Sequence, residues 1–94
     1  MKMLSEDVLS RVLETLPDWT LQGDALVWQR RFPDFAAAFT FLTRVALLAE
    51  KRDHHPDIRL EYDRLELRLK SHDVDRITQR DLDMAAAVSE LGTF

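Results

Sequence analysis

The residues of this chain best suited to chemistry are crowded into one stretch. All three histidines fall between residues 54 and 72, and the run EKRDHHPD, residues 50–57, sets two adjacent imidazoles among carboxylates and follows them with a proline. Imidazole has an ordinary pKa near neutrality, so it can trade protons, hold a metal or simply pack. Spacing separates these uses. Adjacent histidines are a poor chelating pair, because side chains at i and i+1 diverge on a helix and point to opposite faces of a strand. No His-Glu-x-x-His run is present either. Pro56 pushes His55 toward extended backbone, so the pair cannot continue a preceding helix. If Leu65, Leu67 and Leu69 face a core, His72 falls on the side of Arg68 and Lys70, away from it. Reachable imidazoles at strand ends suit acid/base work. The same residues also have a plain structural reading, with surface histidines, Asp81 as a helix-capping acid, and Glu50 and Asp53 as solvated charges of mildly unfavourable sign near a helix C-terminus.

The bulk properties narrow the setting. A chain of 94 residues makes one domain, spanning 1–94, and is small enough to gain from self-association. Hydrophobic residues at 46% and charged residues at 32% place it among folded globular chains. The formal charge of −4 gives no basic field for a phosphate backbone, which argues against direct nucleic-acid binding. The absence of cysteine removes disulfides, thiolate catalysis and zinc–cysteine sites, and fits a reducing compartment. The opening MKMLSEDVLS has no apolar signal region and no run approaches the ~20 apolar residues of a membrane span, so a cytoplasmic protein is expected.

The elements that must position the histidines follow from periodicity. Ser5 can cap a first helix, with Leu4 and Leu9 as a staple, a stripe of Val8, Leu9, Val12, Leu13 and Leu16, and Pro17 as its end. Gly23-Asp24 between WTLQ and ALVWQRRF reads as a hairpin turn. Asp34 can cap a long second helix in which Phe35, Phe39, Leu42, Val45, Ala46 and Ala49 recur at helical spacing. After the histidines, Ile58, Leu60 and Tyr62, then Leu65, Leu67 and Leu69, alternate with polar residues as two half-buried strands, joined by a turn without a strong turn dipeptide. Thr78 caps a last helix, with Asp81 at the reciprocal capping-box position, Ile77 and Leu82 as a staple, and Gly92 as the stop. The order αββαββα predicts an α+β fold, a four-stranded antiparallel sheet with three helices on one face and the other face open.

The site residues resemble the pattern of the pterin-4a-carbinolamine dehydratase family, whose animal member is also the dimerisation cofactor of a homeodomain transcription activator. That pattern is an acidic or polar residue, three spacers, His-His-Pro, an aromatic residue after five or six more, a histidine after a further nine, and an aspartate at least eight beyond. It is met here by Glu50, His54-His55-Pro56, Tyr62, His72 and Asp81. The resemblance extends through FPDFAAAFTFLTRVALLAEKRDHHP and TQRDLDMAA. Departures are Ile58 where many members have tryptophan, Ser71 where they have threonine, and Arg76-Ile77-Thr78 where they have Gly-Leu/Ile-Thr.

The resemblance implies dehydration of a 4a-hydroxytetrahydropterin to the quinonoid dihydropterin, the recycling step after an aromatic amino acid hydroxylase, with no cofactor and no metal. It implies His54 and His72 as the acid/base pair, and His55 as substrate-orienting and available for proton transfer. Asp53, Ser71 and Asp73 would bind the pterin edge, with Asp81 holding an imidazole in its working tautomer and Glu50 supporting from the helix end. It further implies a homodimer or homotetramer built by pairing edge strands, and no membrane partner. The alternative is a non-catalytic dimerisation or assembly cofactor on the same fold, for which Ile58 and Arg76 speak.

Overall fold

The computed structural model of the chain describes residues 4–92. Their order is α1 (Glu6–Leu13), β1 (Trp19–Gln22), β2 (Ala25–Arg31), α2 (Phe35–Arg52), β3 (Asp57–Glu61), β4 (Arg64–Leu69) and α3 (Gln79–Leu91). The strands form one antiparallel sheet in the order β1-β2-β4-β3, so the second and fourth strands are central and β1 and β3 are edges. This is the expected α+β architecture.

Local signals set the boundaries. Ser5 Oγ accepts from Val8 N and Asp34 Oδ1 from Ala37 N, satisfying first-turn donors that a helix leaves open. Gln22 pairs directly with Ala25, so Gly23-Asp24 is a two-residue turn, and Gly23 takes the left-handed conformation (φ 63°) that this tight hairpin requires. The other hairpin turns on Tyr62-Asp63, because Glu61 pairs with Arg64, and Tyr62 itself sits at φ 55°. The chain thus makes a glycine-like turn with an aromatic residue, and Tyr62 lies in the turn, exposed, instead of in a strand.

One core forms between the sheet and all three helices. Leu26 and Trp28 of β2 lie opposite Leu69 and Leu67 of β4, and these pack with Leu16, Ala38, Phe41, Val45, Ala49, Leu82, Met84, Ala85 and Val88. Trp28 stacks on Phe41 with ring centroids 5.3 Å apart. The apolar stripe of α2 is rotated from the expected one. Phe35 and Phe39 are 48% and 52% exposed, while Val45 and Ala49 of the expected stripe face the sheet together with Ala38 and Phe41. The alanine-rich helix carries apolar residues on more than one side, so periodicity alone could not choose the buried one. Ile58, expected to be half-buried, is exposed on an edge strand, as is Leu21, beyond the cover of the helices. In β2, Ala25 and Val27 are buried as well, on the face opposite the helices, where Thr20 and Arg68 flank Val27. α1 ends at Leu13, before Pro17, and Val8 is exposed rather than part of the packed stripe.

Candidate active site

The histidines are placed by the way α2 ends. Asp53 takes the left-handed conformation (φ 51°, ψ 42°) and its N–H donates to the Ala49 and Glu50 carbonyls, while His54 N–H reaches the Ala49 carbonyl at 3.1 Å. This is a left-handed helix stop at a residue type that tolerates it. It turns the chain so that His54 enters the fold, with its side chain only 11% exposed, and His55 emerges, 54% exposed. The buried Pro56 then leads into β3.

His54 meets a buried carboxylate. Its Nε2 lies 2.6 Å from Asp81 Oδ1, and Asp81 is wholly shielded from solvent in the first turn of α3. The other oxygen, Oδ2, accepts from Ser71 Oγ at 2.8 Å and from Thr78 N at 2.9 Å. Because the Ser71 hydroxyl gives its proton to Asp81, the Thr78 hydroxyl must donate to Ser71 across their 2.7 Å contact. An ionised Asp81 accepts from every partner, and its contact with His54 then puts the imidazole proton on Nε2. The lone pair of a neutral His54 is left on Nδ1.

The other two imidazoles have their own carboxylates. His55 Nε2 is 3.0 Å from Glu50 Oε1 in an exposed pair. His72, 64% exposed, lies in the turn 72–75 after β4, with Nε2 3.7 Å from Asp57 Oδ1. Asp57 is opposite Arg68 in the sheet, so His72 is on the side that strand alternation predicts.

The expected site residues are joined in sequence and space, though not all as expected. Ser71 bonds the carboxylate that holds His54, and its chain neighbour His72 pairs with Asp57, three residues from His54. The segments 50–57, 71–73 and 78–81 therefore meet at one end of the sheet. Ser71 is buried with its hydroxyl committed to Asp81 and Thr78, and Asp73 is engaged by Arg80 of α3, which holds its carboxyl below the ordinary carboxylate range. Ser71 thus faces the buried carboxylate, whereas Asp73 is exposed and is engaged by Arg80 at one oxygen. Asp53 is exposed at the helix stop. Two residues went unnoticed in sequence. Asp57 could have been found from its place directly after His-His-Pro on the outward side of a strand. Thr78 read only as a cap, and nothing in sequence marks its hydroxyl as reaching back to Ser71.

Among the described residues, no group of three or more His, Cys, Asp or Glu side chains is arranged to hold a metal ion, and no helix is long and apolar enough to cross a membrane. The two cavities described lie elsewhere. One, about 330 Å³, is on the open sheet face near Arg59 and Arg64, and the other borders Trp28, Arg30 and Ser89.

Comparison with known proteins bears on this arrangement. The family model described as pterin 4 alpha carbinolamine dehydratase matches residues 2–91. A protein of Chloroflexus aurantiacus, provisionally named pterin-4-alpha-carbinolamine dehydratase, is 42% identical over 97% of this chain and 98% of its own. One of Prochlorococcus marinus with the same provisional name is 45% identical over 95% and 93%. Among solved structures, the transcriptional coactivator/pterin dehydratase from Brucella melitensis superposes with a TM-score of 0.89 at 33% identity, over 96% of this chain and 98% of that one. A pterin dehydratase-like protein identified as a RuBisCO assembly factor in the alpha-carboxysome shares the fold at a TM-score of 0.69 and 24% identity, over 81% and 90% of the two chains. With nearly its whole length matched both by the family model and by relatives well above 30% identity, the chain belongs to the pterin 4 alpha carbinolamine dehydratase family.

Proposed function

We propose that the protein dehydrates a 4a-hydroxytetrahydropterin to the quinonoid dihydropterin by histidine general acid–base catalysis. Family membership supports the reaction class, and the observation that carries the residue-level reading is the buried His54–Asp81 pair. A carboxylate with no solvent contact, supplied with two further donors, has the form of a device for orienting one imidazole and holding its proton on one nitrogen. Such a network is a costly way merely to cap a helix.

The reaction needs two proton transfers and no change of oxidation state. The C4a–O bond breaks as the lone pair of the adjacent ring nitrogen forms a C=N bond, the N–H proton leaves to a base, and the departing hydroxyl takes a proton and is released as water. His54 presents Nδ1 as the base, and the imidazolium that forms is stabilised by Asp81 at Nε2. His72, solvent-facing beside Asp57, delivers the proton to the hydroxyl. His55, tethered to Glu50, orients the ring. Ser71 and Thr78 act through Asp81. In the same reading the chain self-associates through an unpaired edge of its sheet, since an exposed edge strand offers free backbone groups to a second copy.

The test mixes the protein with enzymatically generated 4a-hydroxytetrahydrobiopterin and follows its absorbance decay. Acceleration over buffer is expected, with His54→Ala and His72→Ala each reduced by ~10²–10⁴, the range typical of general acid–base catalysis. Wild-type decay no faster than buffer replaces this reading with a non-catalytic assembly module on the same fold. Sedimentation at micromolar concentration that finds only an 11.0 kDa species removes the self-association.

A further inference from the structure

The turn that carries His72 has little apolar anchorage. Ser71 and Arg76 face each other in an isolated antiparallel bridge, and residues 72–75 between them are all exposed, with Asp75 in the left-handed region at φ 56°. A segment with so few buried contacts belongs to the least stable part of a fold. A general acid, by contrast, has to stay within hydrogen-bond reach of its target.

Two cationic side chains, Lys70 and Arg80, hold this turn by its carboxylates. Lys70, at the end of β4, lies 2.8 Å from Asp75 Oδ1 and 3.4 Å from Asp24 Oδ2 in the β1–β2 turn. Arg80, in the first turn of α3, donates through Nη2 to Asp73 Oδ1. Exposed ion pairs contribute little to stability, so two of them on one short turn are poorly explained by stability alone. Arg80 also carries a penalty. Its Nε is buried with no hydrogen-bond partner among the described residues, a condition folded proteins mostly avoid.

Position explains the arrangement. Arg80 and Asp81 are consecutive on α3. Asp81 holds His54 directly, and Arg80 holds Asp73, the chain neighbour of His72. We infer that Arg80, acting through Asp73, is the positioning residue for His72, so that the first turn of α3 sets the separation of the two imidazoles. This rests on the dehydratase reading for its kinetic consequence, but the ordering of His72 is measurable without it.

The experiment compares wild type with Arg80→Ala, Arg80→Lys and Asp73→Asn in two readouts. In the dehydration assay, Arg80→Ala and Asp73→Asn are expected to lower kcat by ~10–100-fold, the scale of a misplaced catalytic group. KM should stay within about threefold and Arg80→Lys should recover most of kcat, since a lysine can still pair with Asp73. In NMR spectra of ¹⁵N-histidine-labelled protein, the His72 ring signals should move toward free-histidine values in Arg80→Ala and Asp73→Asn while those of His54 stay in place. Unchanged His72 signals in both variants overturn the inference, as does a kcat that follows only thermal stability with no recovery in Arg80→Lys. If the wild type shows no acceleration, the dehydratase reading fails, and the His72 signals alone then decide whether Arg80 holds the turn.

Discussion

Replacing Asp81 by asparagine probes the site at its centre, because it keeps the shape of the buried group and changes only which hydrogen bonds it can make. Asp81 accepts from three donors, with Thr78 N and Ser71 Oγ at one oxygen and His54 Nε2 at the other. Asparagine has one carbonyl oxygen and one NH₂. The oxygen can serve the Thr78 and Ser71 donors, which leaves the NH₂ facing His54. Two donors cannot share a hydrogen bond, so Nε2 must give up its proton and become an acceptor, and the proton moves to Nδ1. The nitrogen proposed to act as base is then blocked.

The expected energetic cost is moderate. Hydrogen bonds to a charged group contribute about 1.5–3 kcal/mol and neutral ones about 0.5–1.5 kcal/mol, so weakening three of them by about 1 kcal/mol each amounts to roughly 3 kcal/mol. For a domain of this size that lowers Tm by ~12–24 °C without unfolding it at 25 °C. The catalytic cost is larger, a ~10²–10⁴-fold loss of kcat, because the general base is lost. The measurement pairs the absorbance-decay assay with ¹⁵N chemical shifts of the His54 ring, which report which nitrogen is protonated. An Asp81→Asn protein that retains its activity within twofold and keeps the Nε2–H tautomer would refute the reasoning. Asp81→Ala, which leaves all three donors unpartnered in a buried place, should cost ~3–5 kcal/mol.

Three further outcomes follow from the same contacts. Ser71→Ala removes a donor from Asp81 and an acceptor from Thr78 in a buried setting, and should cost about 1–3 kcal/mol in chemical denaturation. Gly23→Ala meets no atom within 4 Å but places a side chain at φ 63°, so backbone strain alone should cost ~1–2 kcal/mol, read as a lower Tm with the sheet intact. Asp73 and Asp75 are held below their ordinary value of 3.8 by hydrogen bonds from Arg80 and Lys70 respectively, so their contribution to stability is present above that value and is lost as pH falls through the lower folded values. Lys70 is raised above 10.5 chiefly by Asp75, so its contribution persists below that value and is lost as pH rises beyond it. Denaturation midpoints measured below pH 4 should therefore fall less steeply in an Asp73→Asn, Asp75→Asn double variant than in wild type.

Much of the fold was legible in order of appearance. The alternation of Leu65, Leu67 and Leu69, the caps at Ser5, Asp34 and Thr78, and the Gly23-Asp24 turn are properties of neighbouring residues, and each appears where its local chemistry put it. The helix stop before His54 was visible from Pro56, and the reciprocal cap at Asp81 from its distance to Thr78. Local rules fail where an element has more than one apolar side or no neighbour to cover it. Phe35 and Phe39 satisfied the periodicity of α2 with Val45 and Ala49, but only the position of the sheet decided that Ala38 and Phe41 would join those two in the core and the first pair would not. Ile58 satisfied the alternation of β3 but lies on an uncovered edge.

By itself, then, the amino-acid order determined the elements, their sequence along the chain and the residue types able to move protons, because these depend on backbone preferences and periodicities that act over a few residues. Tertiary structure decided what each of those residues does. Ser71 and Asp73 are close neighbours in sequence, yet the fold turns one toward Asp81 and the other toward Arg80. Asp57 acquired its meaning when β4 and the turn after it brought His72 within reach. His54 and Asp81 are 27 positions apart, and their pairing is created by packing α3 against the end of α2, a long-range contact that no local preference encodes.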